Sequence, residues 1–312
     1  MKIRRDILLF AAVAVAAIAG GWWLLAKRPG GAIESFVRDS KLQAEAARPH
    51  LPAADAFRAT ICPGEGCVVV EVGGLTFIYG AGAGAAEGVR ALGLMHPDVD
   101  GILLPDASLQ SVEGLASLAV ATGIAGRTDA LNVFAPSGAL TEVDGANLLA
   151  SGGRAPRLTL SPDGPDQGLA GKLLFDSGVV EIRAFGARGR VYRIEFDDKS
   201  LILAGCLAEE EDILAATRGT KTAAGILTAG SAQLSPNAQT LCTDVAELTE
   251  AARQVRLAAV LLIPGDPALT QTGALPAWQE VLAASPSPNV ILGVGKARID
   301  LSGPTPKAST GQ

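Results

Sequence analysis

Residues that could do chemistry are few in this chain, and the densest group lies between Ile102 and Leu118, ILLPDASLQSVEGLASL. The run has the cadence of a metal-binding loop. An apolar strand leads into a short polar turn carrying Asp106, Ser108, Gln110 and Ser111, and a helix opens on Val-Glu-Gly-Leu. Such a turn can offer oxygen donors to a cation, yet it holds no histidine. The whole chain has two, His50 and His96, whereas zinc hydrolases rest on several neutral imidazoles. His96 stands in the polar segment MHPDVD, where a lone histidine reads as a solvated turn residue before it reads as a general base. Asp106 can equally cap the helix that follows, with Ser108 and Ser111 as turn and cap residues. A rebuilt cation site would need Asp106, Gln110, Cys206 and Asp266 to converge, carboxylate with thiolate. The competing reading of Cys206 is a small buried hydrophobe.

The four cysteines match no zinc-finger spacing. Cys62 and Cys67 bracket CPGEGC, a loop tight enough to close as a disulfide in an oxidising compartment, or to hold two ordinary thiols beside a turn. Nothing in the spacing says whether Cys206 and Cys242 pair. The glycine run YGAGAGAAEG, Tyr79 to Gly88, follows a strand and opens a helix. It fails the G-x-G-x-x-G spacing of a dinucleotide turn and reads as a turn needing positive φ and close backbone approach. The acidic stretch AEEEDILAA reads as a solvated helix start, its carboxylates favourably placed against the helix dipole.

The elements that must position these residues follow from periodicity. CVVVEVGG and LTFIYG predict a hairpin across Gly73 and Gly74. AAEGVRALGL, VEGLASLAVATGI, residues 208–217, residues 244–255 and a stretch near 275–284 predict helices. GILLP, LNVFAP, VVEIRAF, VYRIEF, SLILAG, GILTAG, AAVLLIP and NVILGV predict strands, several apolar throughout and so buried on both faces. Adjacent strands mixed with βα units imply a sheet-rich α/β sandwich rather than a doubly wound parallel fold. With 312 residues, 48% hydrophobic and 4% aromatic, the core should be built from small aliphatic side chains. A net charge of −6 without a basic cluster in the globular part argues against a nucleic-acid partner.

Residues 7–26, ILLFAAVAVAAIAGGWWLLA, are uncharged and long enough to span a bilayer as a helix. Lys2, Arg4 and Arg5 precede them, and Trp22 and Trp23 suit an interfacial belt. The rival reading is a signal peptide cut after Ala17-Ile18-Ala19, but the apolar run continues past that point. The expected organisation is a transmembrane anchor over 1–28, a stalk over 29–56, a domain over 57–302 and a disordered tail over 303–312.

The succession of landmarks resembles the metallo-β-lactamase superfamily, in its ribonuclease Z and arylsulfatase-like branch. The hairpin ending in Tyr-Gly-Ala-Gly is followed by ALGLMHPDVDGILLPDASLQSVEGL, NVFAPSG, VVEIRAFGARGRVYRIEFDDKSLILAGC, GILTAGS and RLAAVLLIPGDP. The resemblance covers about Phe57 to Leu301. It implies an αββα sandwich, mixed sheets with helices on the outer faces, and a zinc site. In this alignment Leu104 keeps the leucine of the family's metal loop Leu-Thr-His-x-His-x-Asp-His, while Pro105, Asp106, Ser108, Gln110 and Ser111 replace its threonine and four ligands. Gly114 and Leu115 keep the helix start. The third metal histidine falls near Ala187 or Arg188, the bridging aspartate at Cys206, and the last histidine at Pro264, next to Asp266. Every ligand is replaced, so no zinc is expected. The expectation is an exported, membrane-anchored pseudoenzyme with a binding or scaffold role, on the periplasmic side of a bacterial inner membrane. Its partner would be a protein or small ligand of unknown identity. The alternative is a divergent hydrolase of phosphate, sulfate or lactone esters with a rebuilt site. A third reading is a small-ligand binder that uses the same cleft without turnover.

Overall fold

In the computed structural model, Val68, Val70 and Val72 face one side of a strand and Val69 the other, so alternate valines enter two different cores. The structure describes residues 52–64, 66–94, 99–150, 157–161, 171–230, 242–265, 275–284 and 289–310. The apolar segment 7–26, both histidines and Asp266 lie outside them. Among the described residues, no helix is long and apolar enough to cross a membrane.

Two sheets form. The first runs from β1 (Phe57–Ile61) through β2 (Val68–Val72), β3 (Leu75–Tyr79), β4 (Gly101–Leu103) and β5 (Leu131–Phe134) to β6 (Leu158–Ser161). The second holds β7 (Lys172–Asp176), β8 (Val180–Phe185), β9 (Val191–Phe196), β10 (Lys199–Ala204), β11 (Thr222–Ala229), β12 (Val260–Pro264) and β13 (Val290–Leu292). β14 (Arg298–Asp300) and β15 (Lys307–Ser309) then return to the first sheet, giving the order β15-β14-β1-β2-β3-β4-β5-β6. The helices are α1 (Ala85–Ala91), α2 (Leu109–Val112), α3 (Leu115–Ile124), α4 (Leu140–Ala150), α5 (Glu210–Thr217), α6 (Val245–Gln254) and α7 (Leu275–Ala284).

Burial separates three cores, as period-2 alternation requires of sheets covered on both faces. The inner faces meet through Phe57, Val70, Phe77 and Tyr79 on one side and Ile182, Tyr192, Ile194 and Leu203 on the other. Val69, Ile78, Ile102 and Leu104 turn outward onto Ala85, Val89, Leu115, Leu118 and Val143 of the first helical layer. Ile202, Leu227 and Leu262 turn outward onto Ile213, Leu248 and Trp278 of the second. The molecule is therefore an α/β sandwich of mixed sheets with helices outside, built mainly from Ala, Val, Leu and Ile.

The strands β1, β6, β7, β14 and β15 and the helices α2 and α4 are not among the elements the sequence predicts, and two of them show why. Residues 303–312 were expected as a disordered tail, but β15 pairs antiparallel with β14, setting Arg298 opposite Ser309 and Asp300 opposite Lys307. The strand Lys-Ala-Ser has no apolar alternation, and the hydrogen bonds of a neighbouring edge supply what its side chains do not. The helix α4 carries Gly145, buries only the small residues Val143, Ala146 and Ala150 and exposes Leu140, Leu148 and Leu149, so its larger apolar residues do not mark the buried face by which a surface helix is recognised.

Candidate functional site

Strand direction decides where the loops open. β3, β4 and β5 are mutually parallel, as are β10, β11 and β12. Their carboxyl ends deliver Tyr79, Pro105 with Asp106, Gly205 with Cys206, and Ile263 with Pro264 to one cleft of about 190 Å³. This is the crevice outside the strand ends where open α/β sheets place their ligands. Of the candidate residues, Asp106, Ser108, Gln110, Ser111, Cys206 and Pro264 all line it. Arg188 is exposed and is not among the lining residues, although the N–H of its neighbour but one, Arg190, donates to the Pro105 carbonyl at 2.6 Å.

Asp106 is 3% exposed, and its Oδ1 accepts the Ser108 backbone N–H at 2.8 Å, an Asx turn that starts α2. The Ser108 and Ser111 hydroxyls lie 3.3 Å apart. Close backbone contacts brace this turn from below. The Gly114 N–H donates to the Ala81 carbonyl at 2.6 Å, and a β-carbon on Gly114 would stand 2.3 Å from the Gly82 carbonyl oxygen. That contact accounts for glycine at 114, and at 82 a β-carbon would stand 2.5 Å from the Gln110 carbonyl oxygen, so close backbone approach explains both glycines.

Both cysteine pairs are joined. Cys62 and Cys67 close their loop with Cα atoms 5.3 Å apart, and Cys67 reaches the cleft wall. Cys206 is bonded to Cys242, with Cα atoms 4.0 Å apart. The cation site that would combine a Cys206 thiolate with Asp106 is thereby corrected, since a disulfide sulfur has no thiolate to give. The bridge rests on Gly265, where a β-carbon would come within 2.3 Å of the Cys242 sulfur.

The cleft also holds a residue the sequence reading passed over. Tyr79 ends β3 buried, and its hydroxyl has no hydrogen-bond partner among the described residues. Burial, then the neighbouring Tyr192 and Asp106, push its phenol well above the usual range. It therefore stays protonated and is a donor across the working pH range. Tyr79 meets Tyr192 edge-on, ring centroids 6.1 Å apart. A signal did exist: these are the only two tyrosines of the chain, both on strands that read as buried, and a buried phenol needs a partner.

Gly205 sets the space around that hydroxyl. A β-carbon there would lie 2.4 Å from Pro105 Cβ and 3.3 Å from the Tyr79 oxygen. Gly205→Ala is expected to lower stability by about 1–3 kcal/mol through overpacking, read from denaturant midpoints. An unchanged midpoint would show that the Pro105 turn yields without cost.

No family model matches this chain, and no curated protein matches it. Solved structures do. The metallo-β-lactamase fold protein YhfI from Bacillus subtilis superposes with a TM-score of 0.58 at 11% identity, covering 79% of this chain and 99% of that one. Human tRNase Z, short form, gives 0.53 at 12%, covering 66% and 90%. Zn²⁺-bound PqqB from Methylobacterium extorquens gives 0.51 at 15%, covering 75% and 86%. At such identities the likeness establishes the fold: this chain has the metallo-β-lactamase fold.

The zinc that the fold implies does not fit the described residues of the cleft. Asp106 is a single carboxylate with one oxygen already engaged, the Cys206 sulfur is in a disulfide, Ser and Gln are weak neutral donors, and the Pro264 side chain has none. Among the described residues, no three His, Cys, Asp or Glu side chains are placed to share a cation.

Proposed function

We propose that this chain is a membrane-anchored, exported protein of the metallo-β-lactamase fold that binds through its cleft and does not hydrolyse. One observation carries the reading. The cleft is open at the strand ends, yet the polar side chains among its described lining residues are the Asp106 and Glu113 carboxylates, one phenol, two serine and one threonine hydroxyls and an amide, and both of its cysteines are closed in disulfides. A metal-activated water requires imidazole or several carboxylates, and a metal-free hydrolase requires a nucleophile hydrogen-bonded to a base. Here the serine hydroxyls contact each other. The disulfides support an oxidising compartment, and the uncharged run 7–26 supports an anchor.

The test takes the full chain from the cell's membrane fraction in detergent, incubates it with zinc and manganese, removes the excess and measures bound metal. Roughly a tenth of an equivalent or less is expected, with no turnover of phosphate, sulfate or lactone esters above buffer. A stoichiometric metal that disappears in Asp106→Ala would overturn the non-hydrolytic reading. Recovery of the chain in the soluble fraction would overturn the anchor.

A further inference from the structure

The lining of the cleft has one sign of charge. Asp106 is buried in its wall and Glu113 stands at its rim, and no Lys, Arg or His is among the described residues that line it. The Glu113 carboxylate is used locally, Oε1 accepting the Ala83 N–H at 3.1 Å. Asp106 uses Oδ1 on Ser108, and no other hydrogen bond or ion pair to it forms among the described residues. A buried carboxylate without a cation is costly unless something pairs with it. Beside it, the Tyr79 hydroxyl is buried and unpartnered in the same cleft. Buried polar groups are nearly always satisfied, and one that is not marks the place of a missing partner.

We infer that the cleft is a binding site for a small organic ammonium compound carrying an oxygen acceptor, its N–H groups donating to Asp106 and its oxygen accepting from Tyr79. This rests on the binding reading of the cleft and names the ligand class. Size agrees: about 190 Å³ is below the span of roughly 300–1,000 Å³ typical of drug-sized ligands. Anionic phosphate and sulfate compounds are the wrong sign, because a carboxylate facing them has no cation beside it. A metal cation finds no set of three ligands among the described residues. Val68, Pro105, Ile263 and Pro264 provide an apolar wall for the carbon skeleton.

Four two-carbon probes separate the terms in a titration of the full chain followed by ligand-observed NMR or calorimetry. Ethanolamine has both groups, ethylamine lacks the acceptor, ethylene glycol lacks the charge, and glycolate reverses it. Ethanolamine should bind saturably, ethylamine about three- to tenfold more weakly, and ethylene glycol and glycolate at least about tenfold more weakly. Asp106→Asn should remove the preference for the ammonium. Tyr79→Phe should erase the difference between ethanolamine and ethylamine and leave the fold intact, because its hydroxyl has no partner to lose. Glycolate binding as well as ethanolamine would overturn the inference, and the wild-type comparison stands even if Asp106→Asn does not fold. A protein that ignores all four probes, takes up no zinc and hydrolyses no ester would also overturn it, while the non-hydrolytic reading survives. Zinc uptake would overturn that reading whatever the amines do.

Discussion

Opening the Cys206–Cys242 bridge is expected to lower stability by about 4 kcal/mol. The two cysteines are separated by 36 residues, and the chain-entropy relation for a loop of that size gives about this value at room temperature. The enclosed stretch includes α5 and β11, so in the unfolded chain the bridge constrains one helix and one strand of the second sheet. In the native state the Thr243 N–H donates to the Cys206 carbonyl at 2.9 Å, holding the same crossing by backbone. The measurement is the denaturant midpoint of a Cys206→Ser, Cys242→Ser double variant against wild type. The Cys62→Ser, Cys67→Ser double variant is the internal comparison: its loop, with a separation of 5, should cost less. Equal losses for the two pairs, or none for the longer, would show that the bridge is incidental.

Tyr192→Ala should lose about 3–5 kcal/mol, the range for removing a buried aromatic side chain. The ring is 0% exposed between the sheets. Its hydroxyl lies 2.6 Å from the Leu104 carbonyl oxygen and 2.9 Å from that of Phe134, donating its proton to one or the other. Leu104 leads directly into Pro105 and Asp106, so the phenol ties the inter-sheet core to the turn that forms the cleft wall. Tyr192→Phe separates the two contributions. It keeps the ring and leaves a buried carbonyl without its donor, for a loss of about 1–3 kcal/mol. If Phe proves as costly as Ala, the hydroxyl rather than the packing holds this junction.

Particular residues show why some of this was legible in the sequence. The valines of β2 and the run Gly-Ile-Leu-Leu-Pro give away their strands, because burial on both faces demands unbroken apolar residues. The hairpin across Gly73 and Gly74 needs only neighbours in the chain. By contrast, the larger apolar residues of α4 do not mark its buried face, and Lys307-Ala308-Ser309 becomes a strand only because β14 offers it a hydrogen-bonding edge. The two cysteine pairs divide the same way. Cys62 and Cys67 are held near each other by a sequence separation of 5, whereas Cys206 and Cys242 lie 36 residues apart with α5 and β11 between them.

The site divides along the same line. Residue type alone settles that a chain with two histidines cannot fill a multi-histidine zinc site, because a donor atom is present in a side chain or it is not. What the remaining residues do instead was decided by the tertiary structure. It brought the ends of β3, β4, β10 and β12 to one cleft, consumed the Cys206 sulfur in a disulfide, and left the Tyr79 hydroxyl and the Asp106 carboxylate facing the same space. Distances between residues far apart in sequence are set by how strands pair and sheets pack, and no local pattern carries them.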